Sequence, residues 1–174
     1  IYGDSVAKDL RTLPYLWQDV KDVYKAQQYC DKVYESALVS ITQLLNKHLK
    51  LNQKPHYYRI LLGNWLIHFI HQAYDKSQIF HNAKAYGELE TWVMEPNQYH
   101  YPEDCSDFFR SNLDDFYQLQ LFSQVAQYLG VNTETKILKE SSILYASNIN
   151  NGLIQNMFKI FKHSCKSLKY FFYK

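Results

Sequence analysis

Two imidazoles and a carboxylate stand at His68, His71 and Asp75, a spacing that sets all three on adjacent turns of one helix face. At about 100° per residue, Asn64 and Gln72 fall on the same stripe and Trp65 lies beside it. A carboxylate or imidazole so placed can deprotonate a hydroxyl, and Arg59, at the head of the segment, can meet an anionic group bidentately. Metal sites in helical bundles use related sets, but they draw matching carboxylates from a second helix. No E-x-x-H motif supplies them here, so no metal is expected, and a polar seam against another helix or a substrate cleft is. Asp114 and Asp115 form a second candidate pair. Neighbours on a helix point about 100° apart, which suits capping better than a shared ligand. Tyr99, His100 and Tyr101 lie in a loop flanked by Pro96 and Pro102, where they could line a sugar or base site by stacking. The catalytic candidates are therefore His71, Asp75 and Asp115, and the substrate-binding candidates Arg59, Asn64, Trp65 and His68. A structural role for Arg59 and Asp75, as partners of other helices, accounts for those two equally well.

These side chains need helices to hold them. Apolar residues recur at three and four from Val20 to Leu45, predicting a long amphipathic helix over 19–49. A second helix is expected over 56–76, with Leu62, Leu66, Ile67, Phe69, Ile70 and Ala73 opposite the polar stripe. Its two histidines, Asn and Gln mark it as a buried helix and not a membrane span. A short strand is expected at Glu90–Met94, and a third helix over 112–129, capped by Ser111 or Asn112 and ended by Gly130. Residues 133–146 are ambiguous. A last helix, over 151–173, gathers Lys159, Lys162, Lys166 and Lys169 on one side, with Leu153, Met157, Ile160, Phe161, Leu168 and Phe172 on the other. It fits either an ordinary core-packing helix or contact of residues 153–173 with an anionic membrane surface. The fold class is thus mainly α, with long amphipathic helices packed as a single domain over 1–174.

Composition narrows the field. In 174 residues, 19 Lys+Arg against 17 Asp+Glu leave a net charge of +2, so bulk charge names no partner and no nucleic acid is expected. Five scattered glycines rule out a Walker loop, a G-x-G-x-x-G turn and a nucleophile elbow. Cys30, Cys105 and Cys165 form no C-x-x-C and suit a reducing compartment. The first residue is Ile1 and no signal peptide is visible, so the chain is expected to be part of a longer one.

One stretch is distinctive. His56-Tyr57-Tyr58-Arg59-Ile60-Leu61-Leu62-Gly63-Asn64-Trp65-Leu66-Ile67 follows Leu45-Asn46-Lys47-His48 and precedes Tyr74-Asp75-Lys76. Together with Leu13-Pro14-Tyr15-Leu16-Trp17 and Asn112-Leu113-Asp114-Asp115-Phe116, it resembles a family of transferases from bacterial surface-carbohydrate and spore-coat polysaccharide clusters. Asn64 replaces an expected Pro, Tyr58 an expected Trp and Lys76 an expected Arg. The resemblance implies a two-lobed, GT-B-like glycosyltransferase of cytoplasmic location at the inner face of the cell membrane, with a nucleotide-sugar donor and a saccharide acceptor as partners. No further cofactor is implied. This chain would be the helical part of the N-terminal lobe, supplying acceptor binding and part of the cleft. A reading from another class stays open beside it, a non-catalytic all-helical interaction module that is membrane-peripheral.

Overall fold

Helix α1 spans Val20–Leu49 and opens where it should. The Asp19 carboxylate accepts from the backbone N–H of Lys21 at 2.8 Å, satisfying one of the amides that a helix start leaves open. From Cys30 on, its periodic apolar set, with Val33, Tyr34, Leu38, Ile41 and Leu45, is buried, while Val20, Val23 and Tyr24 in the first turns are exposed. The helix stops at Lys50, which takes a left-handed conformation with φ 53° and donates its N–H to the Asn46 carbonyl. The computed structural model describes residues 12–137.

Asn46 fastens the turn that follows. Its side-chain amide donates to the Gln53 carbonyl and accepts from the Gln53 N–H, and the Tyr58 hydroxyl donates to the same Asn46 oxygen at 2.9 Å. Helix α2 (Pro55–Lys84) then begins with proline in its first turn, where the missing N–H costs nothing. Tyr58, Leu66 and Ile70 pack against α1 in one core cluster. At Gly63 the two helices come so close that a β-carbon would lie 2.6 Å from the Tyr34 hydroxyl.

The second helix runs two turns past its expected end at Lys76. Ser77 and Phe80 are buried in that extension, Phe80 with Val93, Ala126, Leu129 and Val131, so tertiary packing extends what local periodicity did not mark. Strand β1 (Glu90–Met94) has its expected bounds. It pairs in parallel with β2 (Asn132–Lys136), Glu90 opposite Asn132 and Met94 opposite Lys136. Parallel pairing requires a crossover, and here a 3-10 turn at Pro96–Gln98, α3 (Cys105–Ser111) and α4 (Asp115–Tyr128) provide it.

The helix expected over 112–129 is α4, three residues shorter at its start, and α3 is an additional helix ahead of it. The cap of α4 is Asp114, not Ser111 or Asn112. Its carboxylate accepts from Phe116 N at 2.8 Å and Tyr117 N at 3.2 Å. Ser111 and Asn112 close α3 in helical conformation, whereas Asp114 has the extended backbone that an N-cap requires. Gly130, with φ 66°, follows the helix end as expected. The described fold is mainly helical, an antiparallel helix hairpin carrying a β-α-β end. Trp65 joins the two parts, touching both the α1–α2 core and the cluster of Phe108, Tyr117 and Leu121. Among the described residues no helix is long and apolar enough to cross a membrane. The basic helix expected over 151–173, and Cys165, lie outside the described residues.

Candidate functional site

The polar stripe of α2 is divided between neighbours. Arg59 forms a two-pronged ion pair with Glu35 of α1, at 2.8 and 2.6 Å, and its guanidinium lies 5.4 Å from the centre of the Tyr34 ring. The hydrogen bonds from Arg59 hold the Glu35 carboxyl below its ordinary value. Asp75 accepts from the Trp17 indole N–H at 2.7 Å, and Lys76 Nζ stands 3.7 Å from its other oxygen. Trp17 also stacks on Tyr74, centroids 6.2 Å apart, so this carboxylate ties the segment before α1 to the middle of α2.

The remaining candidates sit as follows. Asn64 is exposed. Trp65 is half-buried, stacked on Phe69 at 5.5 Å and edge-on to Phe108 at 6.2 Å. His68 is exposed, its ring edge-on to Phe109 at 5.0 Å. His71 is half-buried, and burial lowers its pKa from the ordinary 6.5, with Asp31 opposing and His68 reinforcing the shift. Asp115 is exposed at the first turn of α4, while its neighbour does the capping. Among the described residues, no three His, Cys, Asp or Glu side chains are grouped to share a metal ion.

A second constellation converges at the carboxyl end of β1, the end where open parallel α/β sheets commonly bind ligands. The chain leaves the strand at Glu95, whose N–H donates to the Lys136 carbonyl, and runs as a Pro-flanked loop alongside α4. Gln120, buried on α4, pins that loop. Its side-chain oxygen accepts from His100 N at 2.7 Å and its amide donates to the His100 carbonyl at 2.9 Å. One glutamine thus satisfies both main-chain groups of His100 as a strand partner would.

With its backbone fixed, the His100 ring points Nε2 at the Asp107 carboxylate, 3.2 Å away, each side chain 23% exposed. Asp107 is itself held: Oδ2 also accepts from Glu103 N at 3.0 Å, and its own N–H donates to the α3 cap Asp104 at 2.8 Å. The carboxylate fixes the Nε2–H tautomer, which leaves the lone pair of Nδ1 available as a proton acceptor. The Tyr117 ring lies edge-on to His100, centroids 6.4 Å apart, and burial, with the Asp107 charge adding to it, pushes the Tyr117 phenol far above its usual range. Two neighbouring loop groups, Glu95 Oε2 and Tyr99 Oη, are buried without a hydrogen-bond partner. Buried polar atoms are normally satisfied, so this loop offers donor and acceptor capacity to something outside itself.

The sequence singled out Tyr99, His100 and Tyr101 for stacking but assigned His100 no acid–base role, and it passed over Asp107, Glu95 and Gln120. The seven-residue separation of His100 and Asp107 would be a helical spacing, but His100 lies in the loop before α3 and not on it, so periodicity does not pair them. Only the α3 cap signature, an Asp at 104 with an acid three residues on, marks the place where that pairing partner is held.

The chain matches the family model described as LIC12162 family transferase over residues 3–174. It belongs to that family, and the family's name is that of a transferase. Among curated proteins and among solved structures nothing matches it.

Proposed function

We propose that this chain belongs to a glycosyltransferase that moves a sugar from a nucleotide-activated donor to a saccharide acceptor during bacterial surface-polysaccharide synthesis, and that the loop after β1 lines the acceptor side of the cleft. His100 is the base, oriented by Asp107, and takes the proton of the attacking acceptor hydroxyl on Nδ1 as the bond to the anomeric carbon forms and the nucleotide leaves. Tyr99 and Tyr101 offer faces and hydroxyls to a sugar ring, and Glu95 a carboxylate for its hydroxyls. The observation that carries this reading is the His100–Asp107 pair at the carboxyl end of a parallel strand, with partnerless buried polar atoms beside it. Family membership supports the transferase class.

His68, against Phe109 of α3, and His71 and Asn64 of the same α2 stripe serve this reading as flanking groups. Arg59 and Asp75 serve it as fasteners, through Glu35 and Trp17. The test is calorimetric titration of the full-length protein with CMP-, UDP- and GDP-linked sugars, followed by a transfer assay with the donor that binds. His100→Gln is expected to lower kcat by about 10²–10⁴-fold with donor affinity retained, and Asp107→Asn by a smaller factor. Transfer by the His100→Gln protein at the normal rate would remove the base from this loop, and the absence of any donor binding would remove the nucleotide-sugar reading.

A further inference from the structure

From Ser36 to Tyr74 the chain contains no aspartate or glutamate, yet it carries Lys47, Lys50, Lys54 and Arg59. The α1–α2 turn lies within that stretch. Arg59 is neutralised by Glu35 of α1. The three lysines are exposed, and none joins an ion pair among the described residues.

Beside them α2 turns apolar side chains outward. Tyr57, Ile60 and Leu61 are 43%, 71% and 53% exposed, and their spacing puts them on one stripe. Leu51 adds to it from the loop at 43%. This is not the core face of the helix, which carries the buried Tyr58 and Leu66 on the side of α1. The ring contacts of α2 with α3 start at Trp65, so residues 47–61 form the far end of the hairpin.

Lys50 adds a third observation. It is the non-glycine residue with positive φ among the described residues, at the position after a helix where glycine is unstrained and common. A cation stands there at a conformational cost.

We infer that the tip of the α1–α2 hairpin docks on an anionic lipid surface. Lys47, Lys50 and Lys54 meet the headgroup anions, and Tyr57, Ile60, Leu61 and Leu51 enter the boundary between headgroups and acyl chains. An apolar stripe alone would fit a protein partner. Around it stand three cations that form no ion pair among the described residues, and the one acid beside them, Glu35, is held by Arg59. That excess of positive charge selects a negatively charged bilayer, because ordinary solvated faces intersperse both signs. This contact is separate from the one considered for residues 153–173 and does not depend on the chemistry of the loop after β1.

The experiment is co-sedimentation of the whole chain with vesicles of phosphatidylcholine alone or mixed with phosphatidylglycerol. Binding is expected only to the mixed vesicles. Each lysine near an anionic surface contributes about fivefold to partitioning, so K47Q/K50Q/K54Q should bind about a hundredfold more weakly. I60S/L61S should lose at least tenfold, including the part that survives high salt. Both variants change exposed side chains, and an unaltered circular dichroism spectrum verifies the fold. Wild-type-like binding by K47Q/K50Q/K54Q overturns the proposal, as does loss of binding only in K159Q/K162Q/K166Q/K169Q. If I60S/L61S instead converts a dimer to a monomer in light scattering and leaves vesicle binding intact, the patch belongs to a second copy of the chain and the proposal fails.

Discussion

The closest approach of α1 and α2 gives a stability prediction whose sign depends on the background in which it is measured. Replacing Gly63 by alanine restores helix propensity worth about 1 kcal/mol at an interior position. The new β-carbon, however, would lie 2.6 Å from the Tyr34 hydroxyl. Tyr34 is a buried ring with the Arg59 guanidinium over it, and it has little room to retreat. Overpacking of this kind costs about 1–3 kcal/mol, so Gly63→Ala alone should destabilise by about 1 kcal/mol net. Tyr34→Phe removes the obstructing oxygen. The next atom of that ring is 3.8 Å from the β-carbon and Arg59 Cγ is 3.5 Å away, both ordinary contacts. In the Tyr34→Phe background Gly63→Ala should therefore stabilise by up to about 1 kcal/mol, a coupling of about 2 kcal/mol between adjacent sites. Urea unfolding of the four proteins measures it, and the melting temperature should move by about 2–4 °C per kcal/mol. If Gly63→Ala has the same effect in both backgrounds, Tyr34 is not what keeps this position a glycine, and the close packing described for the hairpin is incorrect.

Other consequences are as direct. His71 is kept neutral by burial, its folded pKa lying below the ordinary 6.5. The unfolded chain then binds the extra proton first, so this residue's contribution is intact above about pH 6.5 and is lost as pH falls toward the folded value. Urea midpoints at pH 7.5 and 5.5 should draw closer together in His71→Asn, and an unchanged difference would show that burial of His71 does not matter. Asp114→Ala should cost about 1 kcal/mol as a lost helix cap, whereas Asp115→Ala should stay within about 0.5 kcal/mol; thermal melts of the two separate the cap from its neighbour, and equal losses would refute the assignment.

The sequence showed the hairpin because its signals are local. Asp19, the three-four recurrence through Leu45, Pro55 and the Asn46 region each act within a turn or two, and β1 is a β-branched and aromatic run. The rest depended on distant partners. Nothing local marks Ser77 as buried or carries α2 on to Lys84; the layer made by Val93 and Phe122 does that, with Phe80 and Phe122 4.4 Å apart. Strand β2 reads Asn-Thr-Glu-Thr-Lys and is largely exposed, so it has no apolar alternation to detect. At the site, the α2 stripe was visible as a pattern, but a pattern gives the face and not the neighbour. Arg59 and Asp75 turn out to meet Glu35 and Trp17, residues far away in sequence. The His100–Asp107 pair was hidden for the opposite reason, its members being close in sequence but brought together by a loop whose path is set by Gln120.

Helix α2 is also a ruler. At about 1.5 Å per residue its 30 residues reach about 45 Å without a break. Tyr57, near one end, stands about 35 Å along the axis from Phe80, which touches the β1 layer near the other end. A rod of that length admits little bending over so short a span. Whatever fixes one end therefore sets the elevation of the other, and with it the height at which the loop after β1 can meet an incoming molecule. Adding or deleting a single helical turn between Trp65 and Ser77 would shift that elevation by about 5 Å, and would also displace Ile70 from the α1 core and Asp75 from Trp17.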